Sequence, residues 1–486
     1  MLWKERRQNV TERIPKGVVV VGAILAPLFL ALFAYAHPEY FTSQTYLGAL
    51  LLFELLCVAL WMYRRVFFAI TLIAFLFAGT GLAIGGGWTV ARWLVLAVGA
   101  AAGCVIMARE RAHRFGLFHI VALFAALSAV ASAAVSRYPD VATLKALSVL
   151  LLFVYAATGA RLAVAGREPQ FFSGLLSGFE IFIGVIAVSY LMGRGVMGNP
   201  NSLGAVMGVA SAPILLWGTL LPEKSSVHNR RLVMMAISFF LVFQSHSRAG
   251  LVAMLLSCGL LCIALRRFKV LIQGVGTILV LVAATAIVKP VVFSNMVASL
   301  TNSVVYKSHD PSQGVLASRE MPWQTAMGSI RANFWFGTGF GTNDNGQNTI
   351  ERIDQFSTSQ GLSTENGSSY LAIVEWVGVV GVLPFLFIVF VIVGKIVRTV
   401  RWMLKTGIPS HPAVPLAMVL VAGLIHAAFE DWLFAPGYYL CVFFWSLAFV
   451  LVDVAPNPVP AVVRTPPWFF RPSALRQSEA RMVPRT

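Results

Sequence analysis

Residues 368–394 read SSYLAIVEWVGVVGVLPFLFIVFVIVG, a run of 27 positions with one charged residue, Glu375. Wound as a helix, this run is about 40 Å long, more than the ~30 Å hydrocarbon core of a bilayer. Working outward, similar apolar runs fall near 17–36, 46–62, 66–84, 89–106, 116–135, 142–164, 171–191, 203–221, 232–246, 250–265, 270–288, 413–428 and 434–452. Together they give about fourteen spans (12–14), so the expected fold class is all-α, a polytopic integral membrane protein.

Composition agrees. Of 486 residues, 58% are hydrophobic and 12% charged, and the mean hydropathy is +0.78, whereas soluble domains carry about 25% charged residues. None of the runs alternates in the manner of a membrane barrel strand. The expected organisation is a cytoplasmic N-terminus at 1–16, a bundle of about 11 spans over 17–288 and a large external loop with short helices at 289–367. About 3 C-terminal spans follow over 368–453, then a Pro- and Arg-rich cytoplasmic tail at 454–486. That tail (PNPVPAVVRTPPWFFRP) reads as extended, with affinity for anionic headgroups.

The net charge of +17 raises the question of nucleic acid, which the placement of the charges answers. With the N-terminus inside and the loops alternating, 27 of the 37 Lys and Arg fall on the cytoplasmic side. The ten left outside are Arg92, Arg137, Lys145, Arg194, Arg248, Lys289, Lys307, Arg319, Arg331 and Arg352. This is the positive-inside pattern, and no nucleic-acid partner is expected. The basic start (Lys4, Arg6, Arg7) and the Ala34-Tyr35-Ala36 end of the first run imitate a signal peptide, but the run exceeds the usual 7–15-residue core, so an uncleaved span is expected. Cys57, Cys104, Cys258, Cys262 and Cys441 all lie in apolar runs and read as packing residues.

Every polar stretch that stands out falls on one, external side: MGRGVMGNPNS (192–202), SHSRAG (245–250), the loop 289–367 and FEDWLFAPG (429–437). A loop of that length reads as a substrate-handling cap. Within it, PWQTAMGSIRANFWFG (322–337) has the spacing of an amphipathic helix along a membrane surface, and GTGFGTNDNG reads as a turn or flexible crossing.

MGNPNSLGAVMGV, SHSRAG, SREMPWQTA with GTGFG, and TENGSSYLAIVEWVGVVG occur in that order over roughly residues 190–445. In this combination the chain resembles the O-antigen ligase and O-antigen polymerase superfamily, which includes exopolysaccharide polymerases. The resemblance implies a metal-independent, cofactor-free glycosyltransferase at the periplasmic face of a bacterial inner membrane, with both termini cytoplasmic. Its donor would be a polyprenyl-diphosphate-linked glycan and its acceptor a glycan or lipid A–core. Membrane lipids, a flippase and a chain-length regulator would be its further partners. Arg248 and Arg319 match the family's paired arginines, and a guanidinium holds two phosphate oxygens in a fixed fork, as a departing diphosphate needs.

Plainer readings stand beside these. Arg248 could snorkel or pair with Glu430 or Asp431, although a charge so near lipid is a functional candidate by default. Arg319 could be a solvated loop charge, and Arg331 and Arg352 solvated faces or secondary phosphate contacts. His246 could assist a phosphate or simply pack. O-antigen ligases commonly carry a His-Asn pattern where this chain has Glu365-Asn366, which makes Glu365 the nearest proton acceptor and favours the polymerase branch. Glu365 could equally serve the helix dipole. Glu430 and Asp431 could bind sugar hydroxyls or balance the arginines. Asn199 and Asn201, flanking Pro200, could offer amides to sugar or cap the span that begins near Ser202. Glu54, Glu180 and Glu375, inside apolar runs, read as interhelical contacts. They also sustain the alternative of a secondary transporter or lipid-linked oligosaccharide flippase, against which no inverted repeat is visible. A third reading is a scaffold in an envelope-synthesis complex, in which the charge of Arg248 would be dispensable.

Overall fold

A computed structural model describes residues 43–79, 87–110, 115–193, 200–288, 317–342 and 367–456, with a few isolated positions beside them. Every regular element described is helical. α1 (Gln44–Met62) passes through a π-helical turn, Tyr63–Phe67, into α2 (Phe68–Ala78). Then come α3 (Gly87–Glu110), α4 (Leu117–Ala133) and α5 (Pro139–Tyr155), which continues through the π turn Ala156–Ala160 into α6 (Arg161–Val164). α7 (Glu168–Leu191) is followed by α8 (Pro200–Ala205), joined by the π turn Val206–Ser211 to α9 (Ala212–Thr219). The rest are α10 (Ser225–Gln244), α11 (Arg248–Ala264), α12 (Phe268–Val288), α13 (Ala317–Ala332), α14 (Ser369–Thr406), α15 (Ala413–Ala427) and α16 (Tyr439–Val454).

Six helical runs among the described residues are long and apolar enough to cross a membrane: Gly48–Ala78, Ala91–Glu110, Pro139–Val164, Glu168–Leu191, Asn201–Thr219 and Ser369–Thr406. Four shorter helices, α4, α11, α15 and α16, are also apolar. The surface matches this, since Leu60, Leu191 and Phe390 are 81%, 89% and 73% exposed. A band of exposed large apolar side chains suits lipid, because it removes none of them from a favourable solvent. The chain is a multi-pass membrane protein. The expected spans at 46–62 and 66–84 correspond to α1 and α2; the helical run from Gly48 to Ala78 bends at Met62, which has φ −130° and ψ 17°, and the π turn that follows carries Arg64 and Arg65. The expected first span at 17–36 and the tail from 457 lie outside the described residues.

The centre of the bundle is C-terminal. Every residue of α16 from Tyr439 to Leu451 is buried, and α15 packs between α11, α14 and α16. Interlocking aromatic rings fill this centre, with Trp445 against Phe153, Phe434 and Phe444 at centroid separations of 5.0, 5.6 and 5.4 Å. Such contacts matter here because lipid gives helix association little hydrophobic drive, leaving close packing to supply it.

Polar contacts gather at two ends of the bundle. One end joins Arg64 to Glu110 and Arg161 to Asp453, and there Lys395 reaches the Val452 carbonyl at 3.0 Å. The other joins Arg319 to Glu430, Lys145 to Gly341 and Arg92 to Gly437. Arg161 follows Lys145 by sixteen residues along a continuous helical run, so the ends stand roughly 24 Å apart there. Glu180 serves as an interhelical contact, pairing with Arg230 at 2.8 Å and Arg231 at 3.3 Å. Glu54 is exposed on α1, and Glu375 is buried in α14.

α14 is broken where hydropathy reads it as continuous. Gly378 has φ +65° and ψ −178°, which cannot belong to a right-handed helix. The break frees backbone groups that must be satisfied by protein at membrane depth. A neighbouring loop satisfies them: Thr338 and Gly339 amides donate to the Glu375 and Trp376 carbonyls at 2.9 and 3.1 Å. In return the Val379 and Val380 amides donate to the Phe334 and Trp335 carbonyls at 2.9 and 3.3 Å. Ser132 of α4 adds a hydroxyl to the Trp376 carbonyl at 2.5 Å. The described part of the Gly-rich run, 337–342, is therefore a buried insert rather than a flexible crossing, with Phe340 1% exposed between Trp376 and Phe385.

Candidate functional site

The site is built at the end that holds Arg319. α11 begins at Arg248, preceded by Ser247, whose hydroxyl accepts from the Gly250 amide at 3.2 Å. That cap leaves Arg248 at the first helical position, where its charge adds to the positive end of the helix dipole. A cation placed there is disfavoured by its own helix and correspondingly receptive to an anion. His246, two residues earlier, is exposed and holds φ +50°, so the chain turns sharply into α11.

α11 is held against the α8 run by backbone contact. A Cβ on Gly204 would fall 2.3 Å from Ser247 Cβ, and one on Gly208 would fall 2.4 Å from the Gly250 carbonyl oxygen. Only glycine permits this approach, which fixes where Arg248 emerges.

Arg319 comes from α13, which opens five residues before the helix expected over 322–337 and ends at Ala332, where the chain turns into the insert. Its guanidinium donates to Glu430 Oε1 at 2.5 Å, and the two side chains are 15% and 16% exposed. The charges of Arg248 and Arg319 lie close enough to act on one another. Glu430 is placed by its backbone: its carbonyl accepts from the Ser369 amide at 3.1 Å and the Ser369 hydroxyl at 2.6 Å. The Ser369 hydroxyl in turn accepts from the Leu433 amide at 3.0 Å. Trp323 Nε1 donates to the Gly367 carbonyl at 3.2 Å, so α13 is tied to the start of α14 beside Arg319.

Around this pair stand groups that the sequence reading did not single out. His426 of α15 is 2% exposed, within electrostatic reach of Arg319, and its Nδ1 accepts from Trp432 Nε1 at 2.8 Å. Tyr438 faces Glu430, and its hydroxyl lies 3.1 Å from that of Tyr439, which donates to the Ser202 carbonyl at 2.8 Å. Burial holds the Tyr438 phenol above its ordinary range, and the Glu430 charge pushes the same way, so it is a neutral hydroxyl. Lys145 donates to the Gly341 carbonyl at 2.6 Å and feels the Asp431 charge. Arg92 donates to the Gly437 carbonyl at 2.9 Å and lies over the Trp93 ring. The one signal for Lys145 and Arg92 was their place among the external cations. His426 offered none, being a lone histidine in an apolar run.

The structure therefore brings together Arg248, Arg319 and Glu430, with Asp431 turned to Lys145. Asn201 lies inside the first turn of α8, because the helix opens at Pro200 rather than near Ser202. Arg331 is exposed and twelve residues beyond Arg319, about 18 Å along α13, so it does not join the pair. Asn199, Arg352, Glu365 and Asn366 lie outside the described residues. Among the described residues, no three His, Cys, Asp or Glu come together as a metal site.

Residues 233–386 match the family model of the O-antigen ligases, which supports the O-antigen ligase and polymerase superfamily for this chain. The match contains Arg248 and Arg319 and ends before Glu430. It supports an O-antigen ligase or polymerase type of function, that of a glycosyl-transferring enzyme acting on a glycan-linked substrate among membrane lipids. None of the curated proteins searched matches the chain.

Proposed function

We propose, from the O-antigen ligase match and the site geometry, that this protein transfers or polymerises a polyprenyl-diphosphate-linked glycan at the periplasmic face of the bacterial inner membrane. The observation that carries the reading is the meeting of Arg248 and Arg319 at one end of an apolar bundle, with Arg319 bound to a carboxylate. Two guanidinium groups at the lipid boundary suit a diphosphate delivered on a lipid, and they supply the positive charge that leaving-group departure requires without a metal. Arg248 and Arg319 hold the diphosphate in this reading, Glu365 orients or deprotonates the acceptor hydroxyl, and the loop 289–367 encloses the sugar. Asn199, Asn201, His246, Arg331, Asn366, Glu430 and Asp431 are the remaining substrate contacts proposed. Direct attack on an alpha-linked donor inverts the anomeric centre, and a retained linkage in the product would defeat that step.

Glutamate in place of the ligase histidine favours polymerisation over ligation. The test is mass spectrometry of products from purified protein given a polyprenyl-diphosphate oligosaccharide, with and without lipid A–core, alongside Arg248→Ala. Lengthening without added acceptor identifies a polymerase, and product only with lipid A–core identifies a ligase. Absence of product in both, with Arg248→Ala still complementing a deletion strain, defeats the proposal in favour of transport or a scaffold.

A further inference from the structure

Transfer to a hydroxyl needs somewhere for its proton to go, and the described site offers three groups near Arg319. His426 is unsuited: its Nδ1 accepts from the Trp432 indole, which can only donate, so in the neutral ring the proton sits on Nε2. With one nitrogen occupied and the other protonated, the neutral imidazole has no lone pair for the task. Asp431 faces Lys145, whose ammonium also donates to the Gly341 carbonyl at 2.6 Å. The third group is Glu430.

Three features set Glu430 apart. Its carboxylate bonds directly to Arg319, one of the two groups proposed to receive the diphosphate. Its main chain is fixed independently by both Ser369 bonds to its carbonyl, so the side chain can leave Arg319 without the loop moving. The side chains of the pair are 15% and 16% exposed, so an anion entering from the bundle end can reach the guanidinium.

We infer that Glu430 and the donor's diphosphate compete for Arg319, and that the carboxylate displaced from Arg319 accepts the proton of the attacking hydroxyl. This rests on the glycosyl-transfer reading and narrows it, leaving Glu365 to orient the acceptor. In the step, the acceptor O–H bond breaks as its proton passes to Glu430, and the acceptor oxygen bonds to the anomeric carbon. The bond from that carbon to the phosphate oxygen breaks, and its electron pair leaves on the diphosphate held by Arg319 and Arg248. Departure of the diphosphate lets Glu430 lose its proton to water and return to Arg319. Donor binding and base release are thereby one event, so a base is freed only when a donor is in place.

The experiment compares wild type, Glu430→Gln, Glu365→Gln and Arg319→Ala in detergent. Each is titrated with farnesyl diphosphate as a non-transferable probe, and each is assayed for glycan transfer. Glu430→Gln is expected to bind the probe at least as tightly as wild type, since its uncharged competitor holds Arg319 less strongly. Its kcat is expected to fall by about 10²–10⁴, the range for loss of a general base. Probe binding also shows that the variant is folded. Glu365→Gln is expected to raise the acceptor KM more than it lowers kcat. Weaker probe binding by Glu430→Gln overturns the competition, and kcat within about threefold of wild type overturns the base role. Loss of kcat in Glu365→Gln with Glu430→Gln active also overturns it, and leaves the transfer reading standing. A wild type that neither binds the probe nor transfers glycan brings down the transfer reading itself.

Discussion

Gly204 and Ser247 approach so closely that a Cβ on Gly204 would stand 2.3 Å from Ser247 Cβ. Ser247 caps the helix that starts at Arg248, so this contact sets the position of that cation. Gly204→Val is expected to destabilise by about 1–3 kcal/mol, the cost of overpacking, and to reduce activity beyond that loss by displacing Arg248. Gly259 on the same helix has nothing within 4 Å of its would-be Cβ. Gly259→Ala is therefore expected to be neutral or to stabilise by up to about 1 kcal/mol. Thermal midpoints in detergent for both variants check the contrast.

The insert 334–342 and the break in α14 depend on one another. A Cβ on Gly378 would meet the Trp335 carbonyl oxygen at 2.4 Å, in a backbone conformation already unsuited to L-residues. Gly378→Ala is expected to cost more than about 1–3 kcal/mol, the range for such backbone strain, because the clash adds to it. Release of the insert is its expected local result, seen as new proteolytic cleavage near Phe334–Phe340. An unchanged digestion pattern with an unchanged midpoint counts against the mutual support.

At the opposite end, Arg161 is 3% exposed along its side chain and donates to both Asp453 oxygens at 2.5 and 3.1 Å. Asp453→Ala leaves a buried cation without its carboxylate and is expected to cost roughly 3 kcal/mol. Adding Arg161→Met is expected to recover part of that loss, which a double-mutant cycle measures. Substrate KM is expected to be unchanged in the double variant, since the pair is distant from Arg319.

Sidedness has its own test. Met327 on α13 and Ser226 on α10 are exposed at opposite ends of the bundle. In spheroplasts, a membrane-impermeant maleimide is expected to label Met327→Cys directly and Ser226→Cys only after lysis. The opposite order rejects a periplasmic site. Cys258, Cys262 and Cys441 are buried and are expected to stay unlabelled in the folded protein.

How much of this could be read beforehand follows from what each feature leaves in the sequence. Apolar length announces a membrane helix, and motif put Arg248 with Arg319; spacing placed a helix over 322–337, which is found at 317–332, its expected last five residues turning instead into the α14 insert. Breaks repaired by backbone are nearly silent, because amides and carbonyls are the same in every residue. The only traces of the α14 insertion are glycines, and Gly378 looks like any other small residue in a hydrophobic run. Arg64-Arg65 is the opposite case: the charged pair follows a bend at Met62, where Arg64 pairs with Glu110 and the Arg64 carbonyl accepts from Arg167 at 2.7 Å. Glu430 was legible as a balance for the arginines, but Ser369, which anchors its main chain, was not. A serine at a span's first residue usually signals only a cap.

The exchange of hydrogen bonds between 334–339 and the broken α14 also bears on how this protein could be altered or inherited. Loops outside a membrane domain are often treated as replaceable parts, to be swapped between relatives to change specificity. Here residues 334–342 complete the interior of the bundle, so a donor loop grafted without its matching helix break would leave amides and carbonyls unsatisfied in a medium that has no water to offer. Residues 334–342 and the α14 segment around Gly378 therefore have to change together.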